Sequence, residues 1–463
     1  MNQNSFARHP WKLLGQPCVS LCTGCGVCAA VCPQDAIQVH LNQRGEFRPQ
    51  LSGPCSGCGL CTKVCPQANV SFSPDDLRVD CQSLGIAGGV TQSFIGHVVD
   101  ESGRVRSASG GLLTHFLIFL LETGEIDAAI VVGEATSAQD LLFRAQVAQS
   151  TEQIRKAAKS KYYPTELSKA IKQAVEEKQK IAIVGLPCQC RAIRKAMAKV
   201  LPFKECIRYV FGLVCSHTVS ARYTEFLLAA AGVGKKDYDR VSYREKTGSQ
   251  SANDYSFQAF KDERPVGRAI PQQGHEASKS WGRRLFVPHA CDYCTDVFAE
   301  AADAVFMDAW LPAYVSDPRG TSIVVSRRAE LTEMLEGLKE IGRISIAPIP
   351  PGKVAAAQKG VIAFKRERLP VRAAYALERG KIIPEGLKRS ARSGPGEKFY
   401  PERFRQRNRL VCNVLWPIPL PRALKWRLLI ALTGGAKLFD CGFAWREAKR
   451  VRWKMEIRKL NES

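Results

Sequence analysis

The chain lacks an apolar segment long enough to cross a bilayer. Its most apolar stretch runs from Leu112 to Leu121 and is followed by Glu122 and Glu125, whereas a membrane-spanning helix needs about 20 apolar residues. Residues 1–20 also lack the apolar core of a secretory signal. We therefore expect a cytoplasmic protein, since reducing surroundings keep cysteine thiols free to bind metal.

Acidic side chains are scarce relative to basic ones. The 463 residues include 44 Asp and Glu against 67 Lys and Arg, which gives a net charge of +23. Many basic proteins bind nucleic acid, but no helix-turn-helix, zinc-finger or RNA-binding pattern accompanies this charge, so we predict no nucleic-acid partner. An acidic electron carrier such as ferredoxin would be steered to a basic surface, and a basic tail favours contact with anionic lipid.

Cysteine, by contrast, is abundant, and eight of the 18 cysteines form two copies of the motif C-x2-C-x2-C-x3-C-P. This is the spacing of bacterial two-cluster ferredoxins, in which the fourth cysteine of each run binds the other cluster. Zinc sites more often use two C-x2-C pairs separated by a longer loop. The motif therefore predicts two 4Fe-4S clusters, cluster I held by Cys22, Cys25, Cys28 and Cys65, and cluster II held by Cys55, Cys58, Cys61 and Cys32.

The length of the chain and the changes in its composition and hydrophobic periodicity predict two to three domains. Residues 1–80 are predicted to form an α+β ferredoxin-like module. From about residue 91, β-branched runs alternate with amphipathic helices, which predicts an α/β core with a mostly parallel sheet. Residues 365–463 are rich in Lys and Arg and are predicted to form a basic, partly helical extension.

A second set of cysteines follows in the core, in the segments GLPCQC, GLVCSH and HACDYC. Cys188 and Cys215 come directly after apolar strands, as does Asp308, and ligands in α/β sheets collect beyond the carboxyl ends of strands. With the C-x2-C pair Cys291 and Cys294, they predict a third cluster. Cys190 in place of Cys188, a zinc site, and buried structural cysteines are the alternatives.

The core resembles the family of beta subunits of coenzyme F420-reducing hydrogenase and dehydrogenase. The resemblance runs from about residue 96 to residue 328, through SASGGLLTHFLIFLLETGEIDAAIVVG, KYYPTEL, GLPCQCRAIRKA, GLVCSH, YREKTG, HACDYCTDVFAEAADAVFMDAWL and GTSIVVSRR. It implies an N-terminal region over residues 91–175 and a C-terminal region over residues 176–345, with FAD beside the third cluster. The arrangement of two predicted clusters N-terminal to this core resembles that of the branch of the family that contains 7-hydroxymethyl chlorophyll a reductase.

The residues that the resemblance implies for FAD also have a physical reading. A glycine-rich helix start offers N–H groups to a phosphate, although a simple capped helix start is the alternative. The pattern G-x-G-x-x-G is absent, which argues against a nicotinamide-binding Rossmann half. The candidate cofactor-binding residues are Ser107, Ser109, Gly110, Gly111, Lys161, Tyr162, Arg244, Lys246 and Asp308, and the candidate proton donors are His217 and His289.

These features predict an iron-sulfur flavoprotein that passes electrons from ferredoxin or reduced coenzyme F420 through 4Fe-4S clusters to FAD and on to an organic substrate. A flavin is needed because it joins one-electron carriers to two-electron chemistry. The alternative is a non-catalytic subunit that relays electrons to a partner enzyme. A third hypothesis is that the basic tail with Trp426, Trp445 and Trp453 docks on anionic lipid.

Overall fold

The computed structural model describes residues 21–67, 92–135, 141–246, 250–384, 387–388 and 407–433, the last range without residues 410, 413–414, 417 and 419. Trp445 and Trp453 of the predicted lipid-binding tail lie outside these residues. The strands are β1 (Ile37–Leu41), β2 (Phe47–Leu51), β3 (Gln92–Val98), β4 (Ala128–Glu134), β5 (Phe143–Ala148), β6 (Ile181–Gly185), β7 (Ile207–Leu213), β8 (Arg240–Glu245), β9 (Ser256–Lys261), β10 (Arg264–Pro271), β11 (Ala304–Asp308), β12 (Ser322–Ser326) and β13 (Ile344–Pro348).

Helices surround these strands. They are α1 (Val27–Ala30), α2 (Leu60–Lys63), α3 (Glu101–Arg106), α4 (Leu112–Glu122), α5 (Thr151–Lys156), α6 (Ser168–Glu176), α7 (Pro187–Met197), α8 (Leu201–Cys206), α9 (Arg222–Ala231), α10 (Lys279–Arg283), α11 (Pro312–Val315), α12 (Ala329–Glu340), α13 (Pro351–Ala357), α14 (Lys359–Ile362), α15 (Leu369–Leu377) and α16 (Arg422–Thr433). A 3-10 turn covers His289–Asp292 and a π-helical turn covers Ala363–Glu367. No helix of the described residues is both long and apolar enough to cross a membrane.

The core is built on an eight-stranded sheet with the order β13-β3-β12-β11-β7-β6-β4-β5. This confirms the predicted α/β class. The four strands β11, β7, β6 and β4 run parallel in the centre. Since parallel neighbours end at the same edge, the carboxyl ends of β6, β7 and β11 lie together.

The outer strands of this sheet differ from the predicted, mostly parallel arrangement. The pairs β4–β5, β11–β12, β12–β3 and β3–β13 are all antiparallel. Chain length explains part of this difference, because a short connection such as the one from β4 to β5 can join only antiparallel neighbours. A separate antiparallel sheet, in the order β10-β9-β8, lies between α9 and α10 in sequence and was not predicted.

Side chains alternate between two apolar layers on the faces of the large sheet. Along β4, Ala128 and Ile130 belong to one layer and Ala129 and Val131 to the other, as the period of two in a strand requires. The first layer also contains Val27 from α1 together with residues of α6 and α7. The ferredoxin-like module is therefore packed directly onto the core.

Helix α4 is fixed at both ends by backbone geometry. Gly111 precedes it with a φ of 83° and Gly124 follows it with a φ of 71°, a left-handed region that favours glycine. Phe116 on α4 is 1% exposed, and its ring lies 5.6 Å from that of Phe211. Since Gly110 donates its N–H to Ser322 Oγ over 2.9 Å, α4 begins where β12 begins and β11 ends.

Candidate iron-sulfur centres and cofactor cavity

The cysteines predicted for cluster I come together around α1. Gly24 and Gly26, which separate them, have φ angles of 72° and 81°, so the chain turns sharply between thiols as glycine permits. Burial raises the pKa of the thiols of Cys22, Cys25 and Cys28, and the neighbouring Cys65 thiol raises each further. Cys65 belongs to the second motif, so the two runs cross as the ferredoxin pattern predicts.

The cysteines predicted for cluster II lie nearer the surface. Burial raises the pKa of Cys61, and the thiols of Cys58 and Cys55 raise it further. Cys32, from the first motif, packs with Cys61 against the same small apolar cluster. Because Cys58 is exposed, this group faces solvent, where a soluble electron carrier can approach.

Four cysteines of the core form a third group, which we call the core quartet: Cys188, Cys215, Cys291 and Cys294. Cys188 lies in the first turn of α7, just after β6, and Cys215 follows β7. Burial raises the pKa of Cys188, and further increases come from Cys25, Cys294, Cys215 and Cys291. The core quartet therefore lies together, and Cys188 adjoins Cys25 of the predicted cluster I.

The core quartet supplies four thiols, which are donors that iron-sulfur clusters and zinc both take. Burial raises the pKa of Cys215 to about 12, which favours its neutral thiol unless a bound cation stabilises the thiolate. Among the described residues, no three His, Cys, Asp or Glu side chains converge closely enough to hold a single ion. A four-iron cube is bound at its corners, so its ligands stand further apart than those of one zinc ion.

Cys190, the alternative to Cys188, lies elsewhere. It is completely buried, and its thiol is 3.5 Å from the carbonyl of Gly185 and 3.9 Å from that of Phe211. Burial is the main cause that raises its pKa, followed by the charge of Asp296, and no other cysteine is among the largest causes. The structure thus packs Cys190 against β6 and β7, away from the core quartet.

A cavity of about 770 Å³ opens beside the core quartet, within the range of roughly 300–1,000 Å³ that ligand pockets have. Cys215 is part of its wall. The wall includes the following predicted site residues: Ser107, Ser109, Gly111, Lys161, Tyr162, His217, Arg244 and Asp308. Gly110, Lys246 and His289 are not part of it.

The start of α4 lies at the cavity, but not all of its predicted groups are available to a ligand. The N–H of Gly110 donates to Ser322 Oγ, and the hydroxyls of Ser107 and Ser109 donate to the carbonyls of Gly103 and Thr321. No side chain caps α4. The N–H groups that can meet an anion are therefore those that follow Gly110, in the first turn.

The predicted cations are held by protein groups. Arg244 lies 3.1 and 3.2 Å from the two carboxylate oxygens of Asp308, and its guanidinium stacks 4.5 Å above the ring of Tyr255. Lys246 donates over 2.6 Å to the carbonyl of Arg319, and burial lowers its pKa to about 8. Arg244 thus presents a paired cation to the cavity, whereas Lys246 fastens a loop behind it.

Lys161 also bonds within the chain. Its Nζ donates to the carbonyls of Ala157 and Ala158, at the end of α5. Burial lowers the pKa of Lys161 to about 7. The Lys161 side chain therefore forms hydrogen bonds with carbonyl groups at the end of α5, in the cavity wall. Tyr162 next to it supplies an aromatic surface.

The two histidines have different surroundings. His217 is 7% exposed, its Nδ1 lies 3.0 Å from a nitrogen of Arg284, and burial followed by that charge lowers its pKa well below the usual value. Since a guanidinium only donates, Nδ1 accepts and Nε2 carries the ring proton. The Nδ1 of His289 lies 3.9 Å from a carboxylate oxygen of Asp292, and His289 is not part of the cavity wall. Of the two candidate histidines, the structure brings only His217 to the cavity.

Trp281 is a cavity residue that the sequence analysis missed. Its ring lies 4.5 Å from that of Tyr162 and 4.2 Å from that of His217, which makes an aromatic wall suited to a planar ring. Gln358 was missed as well, and its Nε2 donates over 3.2 Å to the carbonyl of Asp308. Both residues lie in segments without hydrophobic periodicity. The isolated Trp281 was therefore the one feature of the sequence that could have indicated this part of the site.

Comparison with known proteins identifies the domains of the chain. Residues 178–352 match the C-terminal domain of the coenzyme F420 hydrogenase/dehydrogenase beta subunit, and residues 93–172 match its N-terminal domain. These two matches between them cover more than half of the chain. Residues 21–69 match a 4Fe-4S dicluster domain.

Individual relatives come from methanogenic archaea. The coenzyme F420-dependent sulfite reductase of Methanocaldococcus jannaschii is 32% identical over 187 residues, which cover 40% of this chain and 27% of that protein. One component of the F(420)H(2) dehydrogenase of Methanosarcina mazei is 28% identical over 215 residues, or 42% of this chain and 53% of that protein. The chain thus spans only part of the length of each of these relatives.

Among solved structures, a chain of the F420-reducing NiFe hydrogenase complex from Methanosarcina barkeri aligns with a TM-score of 0.49 and 18% identity, over 66% of this chain and 99% of that chain. The family assignment depends instead on the domain matches. The chain is an iron-sulfur electron-transfer protein that belongs to the family of coenzyme F420 hydrogenase/dehydrogenase beta subunits and carries a 4Fe-4S dicluster domain.

Proposed function

We propose that this chain is an oxidoreductase in which the core quartet holds a third 4Fe-4S cluster and the cavity holds FAD. The single observation that carries the proposal is the position of the core quartet. Cys188 adjoins Cys25 of cluster I, and Cys215 forms part of the cavity wall. The quartet therefore lies between the dicluster domain and the cavity.

The order of the cysteine groups supports a route for single electrons. Cluster II has the exposed Cys58, whereas Cys25 of cluster I is buried and adjoins Cys188 of the core quartet. Cys28 of cluster I is also close to Cys61 of cluster II, since that thiol contributes to its raised pKa after burial and its nearer neighbours. Each group thus has a thiol beside the next.

The cavity suits FAD in its size and its donors. When bound, FAD exchanges electrons singly with a cluster and in pairs with an organic molecule. Tyr162 and Trp281 would cover a planar ring, and the uncapped start of α4 would receive a phosphate. Arg244 would contribute a fixed positive charge, although Asp308 already neutralises part of it. His217 is the candidate proton donor at this wall.

Reduced coenzyme F420 and ferredoxin are the proposed electron donors. The names of the relatives support the first, and the basic composition together with the exposed cluster II supports the second. The acceptor is an organic molecule. A substrate like that of the 7-hydroxymethyl chlorophyll a reductase branch rests on the sequence resemblance alone.

The proposal is tested by mixing anaerobically purified, cofactor-loaded chain with reduced coenzyme F420 and, separately, with reduced ferredoxin. We expect at least one donor to bleach the visible absorption of the clusters and the flavin. Electrons can pass from one to the next because each cysteine group lies beside its neighbour and the core quartet lies beside the cavity. Chain treated with a chelator and stripped of iron serves as the control. Absence of any spectral change with either donor would contradict the proposed function.

A non-catalytic relay subunit is the second candidate, and the partial coverage of the relatives favours it. A relay would be reduced by the donor and reoxidised only by a partner protein. The same reduced chain should therefore be offered a set of organic acceptors and assayed for product. Reoxidation by a small molecule supports the enzyme, whereas reoxidation only after a partner protein is added supports the relay.

A further inference from the structure

A buried lysine from outside the matched family region reaches the core quartet. Lys365 lies in the π-helical turn Ala363–Glu367, beyond residue 352, where the family match ends. The residue is 1% exposed. Its Nζ donates over 2.9 Å to the carbonyl of Cys215 and also to the carbonyl of Asp296.

Among the described residues no carboxylate lies within ion-pair distance of this ammonium, although the charge of Asp296 acts on it from further away. The nearby carboxylate of Asp296 forms its ion pair with Arg191 instead, at 3.8 Å. A buried charge without a counter-charge costs several kcal/mol, so Lys365 requires negative charge close by. Carbonyl groups satisfy its hydrogen bonds but leave its charge uncompensated.

The core quartet is the main source of negative charge near Lys365. Burial lowers the pKa of Lys365, but the thiols of Cys294 and Cys215, followed by the carboxylate of Asp296, raise it above the usual value. The ammonium is also hydrogen-bonded to the carbonyl of Cys215, so its charge lies beside the core quartet in a buried, weakly screened environment.

We propose that Lys365 is a positioning residue that sets the reduction potential of the cluster in the core quartet, an inference that rests on the proposed function. Reduction adds one electron, and thus one negative charge, to a cluster that four thiolates already make negative. A fixed cation stabilises the reduced form more than the oxidised form. Charge around a cluster is one of the factors that set its potential.

A second cation strengthens this arrangement. A nitrogen of Arg284 lies 3.0 Å from His217, two residues after Cys215, and its guanidinium stacks 3.9 Å from the ring of Phe364, the neighbour of Lys365. Segment 363–367 thus contributes both the charge of Lys365 and the ring on which Arg284 is held. The beginning of the predicted basic extension is part of the redox centre.

The test is a redox titration of cofactor-loaded chain, followed by the paramagnetic signal of the reduced core cluster. We expect Lys365→Met to lower the ratio of reduced to oxidised cluster at least tenfold at the wild-type midpoint, which is a shift of about 59 mV for one electron. Lys365→Arg should stay near wild type. The control is Lys353→Met, which removes an exposed lysine of α13.

The outcomes separate this inference from the proposed function. An unchanged midpoint in Lys365→Met with full iron content would overturn the role of Lys365 and leave the third cluster in place. A wild-type chain without a third cluster would overturn the proposed function itself. If Lys365→Met loses this cluster, Lys365→Gln keeps a hydrogen-bond donor without the charge and should show the lowered midpoint in its place. A wild-type midpoint in Lys365→Gln, or loss of the cluster in Lys365→Arg, would refute the inference.

Discussion

Cys294→Ser is expected to remove one 4Fe-4S cluster and leave the two clusters of the dicluster domain intact. A cube bound by four thiolates loses a corner, and the buried site offers no replacement, since Cys190 is packed against the sheet. The iron content should fall from about twelve to about eight per chain, on four irons per cluster. Iron and acid-labile sulfide assays measure the change.

The matched control for this variant is Cys206→Ser. Cys206 ends α8 and is buried, and none of the thiols of the three cysteine groups is among the causes of its pKa shift. It should keep about twelve irons on the same count. Full iron content in Cys294→Ser would refute the assignment of Cys294 as a ligand, and loss of all clusters would mean that the fold had failed.

Gly110→Ala is expected to reduce flavin retention strongly while the clusters stay. A Cβ at this position would lie 2.6 Å from the carbonyl oxygen of Gly96 and 2.7 Å from the backbone nitrogen of Ser322. Both contacts are with backbone, so the loop has to shift, and α4 moves from the cavity wall. Overpacking of this kind costs about 1–3 kcal/mol. Flavin release on denaturation and the free energy of unfolding are the two measurements.

Gly337→Ala is the control for that substitution. Gly337 lies within α12, and a Cβ there meets nothing within 4 Å, so alanine should raise the free energy of unfolding by roughly 0.5–1 kcal/mol. Flavin content should not change. If Gly110→Ala retained as much flavin as wild type at unchanged stability, the start of α4 would not be part of the cofactor site.

The sequence predicted the elements whose signals are local. Helix α4 has an apolar run between glycines, and β6 and α7 follow one another in IAIVGLPCQC. The double cysteine motif predicted that Cys65 of the second run lies near the thiols of the first, where the structure has it. The parallel centre of the sheet follows from that alternation. The predicted neighbourhood of Cys188, Cys215 and Asp308 also depends only on adjacent strands that end at one edge.

Other features depend on contacts between distant segments and could not be predicted. The pairing of β3 with both β12 and β13 joins residues more than 200 positions apart, and no local pattern encodes it. Gly110 was correctly placed at a helix start, but its N–H is taken by Ser322. Lys365 belongs to a segment that was predicted only as a basic extension. In the structure it is buried and hydrogen-bonded to the carbonyl of Cys215 in the core quartet.

The most direct test of a third cluster beside a flavin is the iron, sulfide and FAD content of one anaerobically purified sample. We predict about twelve irons, an equal amount of acid-labile sulfide and one FAD per chain, from three cubes of four irons. A chain that holds about eight irons, or releases no flavin when denatured, would contradict it.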